Sequence, residues 1–514
     1  MRNKCLKRAL VGLAVIAGWQ SAVGRAAEGR AAEGRADTQR PNIVLMMGDD
    51  HGWEETGYHG HPYVKTPVLD EMAASGLRLD NFYAAHPSCS PTRASFMTGR
   101  HPNRMGTFAP GWSFRPEEIT LAHVMKQAGY RCGHFGKWHL GPVKAESPTS
   151  PGAMGFDVWV SHDNFFELNP SLSRNGGPPQ VMPGESSAVV VQHALEFIDS
   201  ARDAQQPFLA VIWFGSPHEP YSGLPEDLAL YDDLPAKYQD KQVRLTSNET
   251  GQQVTRPQGE VLRERYAEIT AMDRAIGRLR QALADRQLRE NTLLFYCGDN
   301  GTSADGSLVT PHRGVKGQVY DGGLLVPGLI EWPARIGTPR TSHVRATTSD
   351  LLPTLCGLTG QELPQRPLDG IDLTPVLDGQ LTQRPKPLYF WEFQTSGLGG
   401  SEPYIAPELQ TGTTPLVKLA GGKATRDFRN VRQPPPADRD FLGPRAIIDG
   451  QMKLVIHDGK QAERRMELFD LEHDPAETRN LADQQPEARR RLEEALRAWQ
   501  QSVLSSLRGG DYQP

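Results

Sequence analysis

The sequence predicts an α/β fold: a large mixed, mostly parallel sheet flanked by helices, followed by a smaller C-terminal α+β domain. Three observations predict it. Ile43-Val44-Leu45-Met46-Met47 and Phe208-Leu209-Ala210-Val211-Ile212-Trp213-Phe214 are unbroken apolar runs, as strands covered on both faces require. Helical segments separate the apolar runs, and such alternation builds parallel sheets through crossover connections. Beyond Pro375 the alternation gives way to a loop rich in Gly, Pro and Thr, then a hairpin pattern and a final helix.

The amino terminus stands apart from this fold. Arg2, Lys4, Lys7 and Arg8 precede the apolar run Ala9 to Trp19, which is too short to span a bilayer, and small residues follow from Ala22 to Ala27. Residues 1–27 read as a secretory signal peptide removed on export, with a periplasmic or secreted destination and no stable membrane anchor. The polar repeat Ala26-Ala27-Glu28-Gly29-Arg30, then Ala31-Ala32-Glu33-Gly34-Arg35, makes residues 28–40 a disordered leader.

A large α/β domain is expected over residues 41–380. Its first strand ends at Gly48-Asp49-Asp50-His51. Thr66-Pro67 opens a helix that stops at Gly76, and Leu77 to Tyr83 returns as a strand. Thr120 caps a helix running to Ala128-Gly129, and Tyr130 to Phe135 is a strand leading into Gly136-Lys137-Trp138-His139-Leu140-Gly141. Helices follow over Ser187 to Arg202 and Gly259 to Asp285, and strands over Phe208 to Phe214 and Thr292 to Cys297, the latter ending at Gly298-Asp299-Asn300-Gly301. A C-terminal α+β subdomain occupies residues 381–514. It comprises a long loop at 394–439 (partly disordered, or a flap over the site), a hairpin from Arg445 to Asp458 turning at Asp449-Gly450, and a helix from Glu487 to Leu507.

Charge narrows the partners. Lys and Arg number 56 against 61 Asp and Glu, a formal net charge of -5, which gives no support to nucleic-acid binding. Affinity for an anionic substrate must therefore come from a local cluster of cations. Cys132 and Cys297 lie at apolar strand ends and read as small core residues.

The placement of polar residues points to a site. Asp49, Asp50, Lys137, His139, His218, Asp299 and Asn300 all follow the carboxyl ends of predicted strands, the edge where open α/β sheets bind ligands. Asp49-Asp50 and Asp299-Asn300 offer hard oxygen ligands suited to Ca²⁺ or Mg²⁺, and no His/Cys cluster has zinc spacing. His139 and His218 are proton-transfer candidates. Lys316 stands in the glycine-bounded run His312-Arg313-Gly314-Val315-Lys316-Gly317. In Cys89-Ser90-Pro91-Thr92-Arg93, Ser90 and Pro91 read as the cap and first position of a helix ending at Gly99. Cys89 would then sit just ahead of the positive helix end, with Arg93 one turn on and placed to help bind an anion.

Three stretches together resemble the sulfatase family: Cys89-Ser90-Pro91-Thr92-Arg93 with Thr98-Gly99-Arg100, Gly136-Lys137-Trp138-His139-Leu140-Gly141, and Gly314-Val315-Lys316-Gly317 before Tyr320-Asp321-Gly322-Gly323. The resemblance runs from Pro41 to about Asp372, and Leu468-Phe469-Asp470-Leu471 with Asp474-Pro475, Glu477 and Asn480-Leu481 is similar to that family's C-terminal part. It implies an alkaline-phosphatase-like fold and cleavage of sulfate monoesters. A formylglycine-generating maturation enzyme would oxidise Cys89 to formylglycine, whose hydrate supplies the nucleophile. Asp49, Asp50, Asp299, Asn300 and a formylglycine oxygen would hold one divalent cation, commonly Ca²⁺ with Mg²⁺ as the alternative. Lys137, His218 and Lys316 would contact the sulfate, the latter two protonating the leaving alcohol, and Asp299 would accept the nucleophile's proton. Arg93 and His139 would hold the diol. Conversion of Cys89 leaves three cysteines in the exported chain, an odd number that does not suggest a disulfide scaffold. Gly298 stands where Ser is frequent in the family, and Leu324-Leu325 where Ile-Arg is.

Three other readings share these residues. A phosphodiesterase or phosphonate hydrolase of the same superfamily would use the same metal and oxyanion chemistry. A secreted protein that binds sulfated glycans without turnover would keep the surface alone. A third would use Cys89 as an unmodified thiolate activated by the helix end. Export and the loop-rich periphery suggest a sulfated small molecule or carbohydrate, with Trp138, His162, Asp163, Asn164, Tyr221 and the loop around Trp391 as candidate sugar contacts.

Overall fold

The computed structural model describes residues 40–246, 252–307, 310–398, 401–416, 425–434, 438–459 and 463–512. The expected signal peptide, and all of the leader but its last residue, lie outside the described residues.

Strands β1 (Asn42–Gly48), β2 (Arg131–Lys137), β3 (Val158–His162), β4 (Phe208–Trp213) and β5 (Thr292–Gly298) form the parallel centre of a ten-stranded sheet, in spatial order β5-β1-β4-β2-β3. Antiparallel strands continue it on both sides, Gly328–Glu331 beside β5 and Ser171–Arg174 beside β3, so the sheet is mixed as expected. The unbroken apolar run of β1 serves two cores. Ile43, Leu45 and Met47 pack on the face that holds helix α1 (Cys89–Thr98), while Val44 and Met46 pack against α2 (Ser186–Asp203) and α3 (Gln258–Asp285) on the other. Burial of each such side chain contributes about 1.5–3 kcal/mol, which fixes the central strand from both faces.

The helix beginning at Pro67 runs to Ser75, and Thr120 caps its helix through a capping box with His123. One local expectation is corrected. Leu77 to Tyr83 is two strands: Leu77–Leu79 joins the large sheet and Phe82–Tyr83 pairs with Ala346–Thr347, because Asp80-Asn81 turn the chain between them. Thr66 makes no side-chain cap. Asp273 of α3 instead accepts the Val68 and Leu69 amides at 3.0 and 2.8 Å.

Near the carboxyl terminus, Leu388–Trp391, Arg445–Asp449, Met452–His457 and Arg465–Asp470 form a four-stranded antiparallel sheet; the expected hairpin is present, but it turns at Gly450-Gln451, one position later than expected, because Asp449 still pairs with Met452. Helix Pro486–Leu507 covers it through Leu492, Leu496 and Val503. No helix of the described residues is long and apolar enough to cross a membrane.

Candidate active site

Parallel register brings the two acidic pairs together. Gly48 of β1 is level with Gly298 of β5, so Asp49-Asp50 and Asp299-Asn300 leave the sheet side by side, all four buried. A Cβ at position 298 would lie 2.1 Å from the His51 carbonyl oxygen, so the backbone here leaves room for glycine alone. The Asp50 amide donates to Asp299 Oδ1 at 2.9 Å and Asn300 Nδ2 donates to Asp50 Oδ1 at 2.9 Å. Asp50 holds a positive φ of 65°, a conformation that Asp tolerates better than most residues.

Helix α1 brings the cysteine to these acids. It starts at Cys89 itself with Ser88 at the cap, two positions earlier than Ser90-Pro91 suggested, because Pro91 is accommodated within the first turn, where its missing amide costs nothing. Sγ of Cys89 and one ligand atom each of Asp49, Asp50 and His218 all lie within 4.8 Å of one another. Burial pushes the Cys89 thiol up to about 12 despite nearby Lys137 and Lys316, so the unmodified side chain is no activated thiolate. Arg93, one turn on, is wholly buried. Its guanidinium spends itself on the protein's own carboxylates, with Nη2 2.8 Å from Asp299 Oδ2 and 3.3 Å from Asp49 Oδ1, whereas an external anion was expected there.

The other cations also pair with the acids. Lys137 Nζ lies 2.5 Å from Asp49 Oδ2, and Lys316 Nζ lies 2.7 Å from the Asp50 carboxylate. Gly136 permits this placement of Lys137: its φ is 99° and a Cβ there would stand 1.9 Å from the Trp213 carbonyl oxygen. His218 Nε2 is 3.7 Å from Asp50 Oδ2, and its ring stacks on Phe165 at 4.5 Å. His139 adopts a φ of 56°, uncommon for a residue other than glycine. Burial pushes the Asp49 carboxyl up to about 7 against the pull of Lys137. Burial would raise Asp50 as well, but Lys316 and His218 hold it below the usual carboxylate range. Burial holds both imidazoles well below their usual range, with Lys137 and Arg426 adding to the effect at His139.

The donor set suits a hard divalent cation. Asp49 Oδ1 and Asn300 Oδ1 are buried and accept no hydrogen bond, and carboxylate and amide oxygens dominate the group.

A sulfatase family model matches residues 41–361. The chain belongs to the sulfatase family. This sulfatase is 33% identical to human arylsulfatase A over 68% of its own length and 70% of the relative's. It is 32% identical to the N-acetylgalactosamine-6-sulfatase of the dog (Canis lupus familiaris), over 68% of each chain. In fold it matches the solved structure of Ps i-CgsB in complex with k-i-k-neocarrahexaose, with a TM-score of 0.71 and 21% identity over 90% of this chain and 94% of that one. The sulfatase therefore hydrolyses sulfate monoesters, and Cys89 stands where the family's formylglycine chemistry is built.

Two residues of the site escaped the sequence reading. Arg265 of α3 is wholly buried and joins Glu55, the Asp50 carbonyl and the Pro217 carbonyl. It occupies an inward position between Val261 and Ile269, and an arginine on the apolar face of an amphipathic helix is the signal that could have found it. Arg426, in the long loop, lies with Nη1 2.9 Å from His139 Nε2; a loop without periodicity offers no such signal. The described parts of that loop cover the strand ends, as the flap reading expected: Asp163 accepts the Thr414 amide at 2.7 Å, and His162 Nε2 lies 3.1 Å from the Pro415 oxygen. Most of the proposed sugar contacts are thereby structural. Trp138 and Trp391 are fully buried, and Tyr221 bonds Asp305. Leu324 and Leu325, which replace the family's Ile-Arg, are buried beside Tyr83 and Phe390.

Proposed function

We propose that this sulfatase is an exported enzyme that removes sulfate from a sulfated carbohydrate, with Cys89 matured to formylglycine by a formylglycine-generating enzyme and Ca²⁺ as the bound ion. The observation that carries the reading is the meeting of Cys89 Sγ with Asp49, Asp50 and His218 within 4.8 Å. Similarity to an N-acetylgalactosamine-6-sulfatase supports a sugar ester as substrate, and the run before Ala22 supports export. Asp49, Asp50, Asp299 and Asn300 would hold the ion; four protein oxygens favour Ca²⁺ over Mg²⁺, which keeps more of its water. When present, the ion supplies fixed positive charge to the sulfate oxygens and the formylglycine hydrate supplies a hydroxyl nucleophile that is regenerated each cycle.

The chain's own residues do the rest. Lys137 and Lys316 place ammonium groups where the ester oxygens gain charge, stabilising the transition state more than the ground state. His218 and Lys316, both reaching Asp50, would supply the proton to the departing alkoxide. Arg93 fixes Asp49 and Asp299 relative to one another, and Asp299 takes the proton of the attacking hydroxyl. His139 would hold the formylglycine diol and take its second proton.

Matured protein, assayed for sulfate released from an aryl sulfate and from sulfated monosaccharides and for phosphate released from a matched aryl diester, tests the reading. Sulfate release should exceed phosphodiester cleavage, mass spectrometry should find an aldehyde at position 89, and C89A should release nothing. A preference for the diester would reassign the enzyme as a phosphodiesterase. An intact thiol in an active sample would remove the formylglycine chemistry.

A further inference from the structure

Among the described residues, the cations named at the strand ends have acidic partners, with one exception. Lys137 pairs with Asp49, Arg93 with Asp299 and Lys316 with Asp50. Among the described residues Arg426 makes no ion pair; its contact is the imidazole of His139, at 2.9 Å from Nη1. It stands near enough to Cys89 for the two side chains to influence one another, and burial pulls its pKa down with no carboxylate to oppose it. A guanidinium withdrawn from water without a counter-charge is costly, and an anion supplied by a ligand would relieve that cost.

Arg426 is also held in place. Phe428 donates its amide to Gln410 O at 2.8 Å, Arg429 its amide to Gly111 O at 3.0 Å, and Asn430 its Nδ2 to Ser113 O at 2.8 Å. The Phe428 ring meets the His139 ring edge-on, with centroids 6.3 Å apart. A preorganised fork with donors left over binds planar or tetrahedral oxyanions well. The ester sulfate already has Lys137, Lys316 and His218, so the charge of Arg426 is surplus to it.

We propose that Arg426 is a specificity residue forming a second anion subsite beside the sulfate pocket, so that the preferred substrate is a sulfated sugar carrying another negative group, a carboxylate or a second sulfate, close to the ester that is cleaved. This rests on the sulfate-ester reading above. Specificity then comes from two charges at a set spacing.

The test compares three esters of one hexose scaffold: the monoanionic monosulfate, the disulfate and the sulfated uronate. The wild-type enzyme should favour one or both dianionic esters. R426A should lower kcat/KM for the favoured ester about 10- to 100-fold more than for the monoanionic one, chiefly through KM, as loss of a charge-assisted contact implies. R426K, which keeps the charge and loses the fork, should recover part of it. Whichever dianionic ester loses more identifies the second group as carboxylate or sulfate. Equal losses on all three esters, or a fall in kcat alone, would overturn the subsite and make Arg426 a positioning residue for His139. Equal wild-type rates on all three would overturn it as well. Absence of sulfate release from every ester would instead defeat the hydrolase reading.

Discussion

Arg265 Nη2 stands 2.6 Å from the backbone oxygen of Asp50, while Nη1 reaches the oxygen of Pro217 at 2.8 Å, so one side chain of α3 ties the first strand end to the segment that carries His218. Its charge is matched by Glu55, with Nε 2.6 Å from Oε1. R265A leaves the buried Glu55 without its counter-charge and should cost about 3–5 kcal/mol of stability. R265K keeps the charge yet cannot span three acceptors. Expected of R265K is a folded enzyme with kcat/KM on an aryl sulfate lowered about 10²-fold, the scale of an ångström-sized misplacement. Steady-state kinetics beside circular dichroism checks it; a near-wild-type rate would leave Arg265 a stability residue only.

The parts of this site that could be read from sequence are those that follow one another along the chain. Asp49-Asp50 and Asp299-Asn300 announce themselves by standing after apolar runs, and parallel register alone then brings them together. What could not be read depends on distant segments meeting. Arg93 looked like an anion binder because sequence shows its helix but not the two carboxylates 2.8 and 3.3 Å away. Asp273 caps a helix about 200 positions upstream, a partnership no local pattern contains. Arg426 and Arg265 reach the site from a loop and from a long helix, where neither turn chemistry nor strand ends mark them.

That remote cap carries a pH signature. Burial pushes the Asp273 carboxyl up to about 7, even though it accepts the Val68 and Leu69 amides. A carboxyl whose folded pKa lies above its unfolded value binds its proton more tightly in the native state. Its contribution to stability is therefore greatest below about 3.8 and declines as pH rises through about 7. D273N should flatten the fall of Tm with pH across that window. D273A should lower Tm throughout by leaving two amides without an acceptor, a cost of about 1–3 kcal/mol. Thermal melts between those limits measure both effects.

Chelation separates the ion from the fold. Asp49, Asp50 and Asp299 are each already matched by Lys137, Lys316 or Arg93, so the strand ends are not left with unbalanced charge when the ion goes. Treatment with a chelator should abolish sulfate release while leaving the circular dichroism spectrum intact, and Ca²⁺ should restore activity better than Mg²⁺. Saturating ion should also raise Tm, since a ligand at 100 times its Kd adds about 2.7 kcal/mol to the folded state. Unfolding on chelation would show that the three cations do not suffice.

Lys453 extends the argument to the C-terminal sheet. Its ammonium is wholly buried, 2.6 Å from Asp321 Oδ1 and 2.8 Å from Glu477 Oε1, and Glu477 Oε2 in turn accepts the Asp321 amide at 2.7 Å. Asp321 closes the loop that carries Lys316. Within that loop Gly322 donates to Arg313 O at 2.7 Å, Lys316 to Thr302 O at 3.0 Å and Gly317 to Pro87 O at 2.8 Å, which joins it to both the Asn300 and the Cys89 segments. K453M strands two carboxyls against one another, and burial already pushes that of Glu477 up to about 7. The variant should lose about 3–5 kcal/mol. At temperatures where it is still folded, it should also lose kcat, because Lys316 no longer has a fixed base. Adding E477Q removes one of the stranded charges and should return part of the lost Tm. A double variant no more stable than K453M would show that the ammonium acts by packing alone.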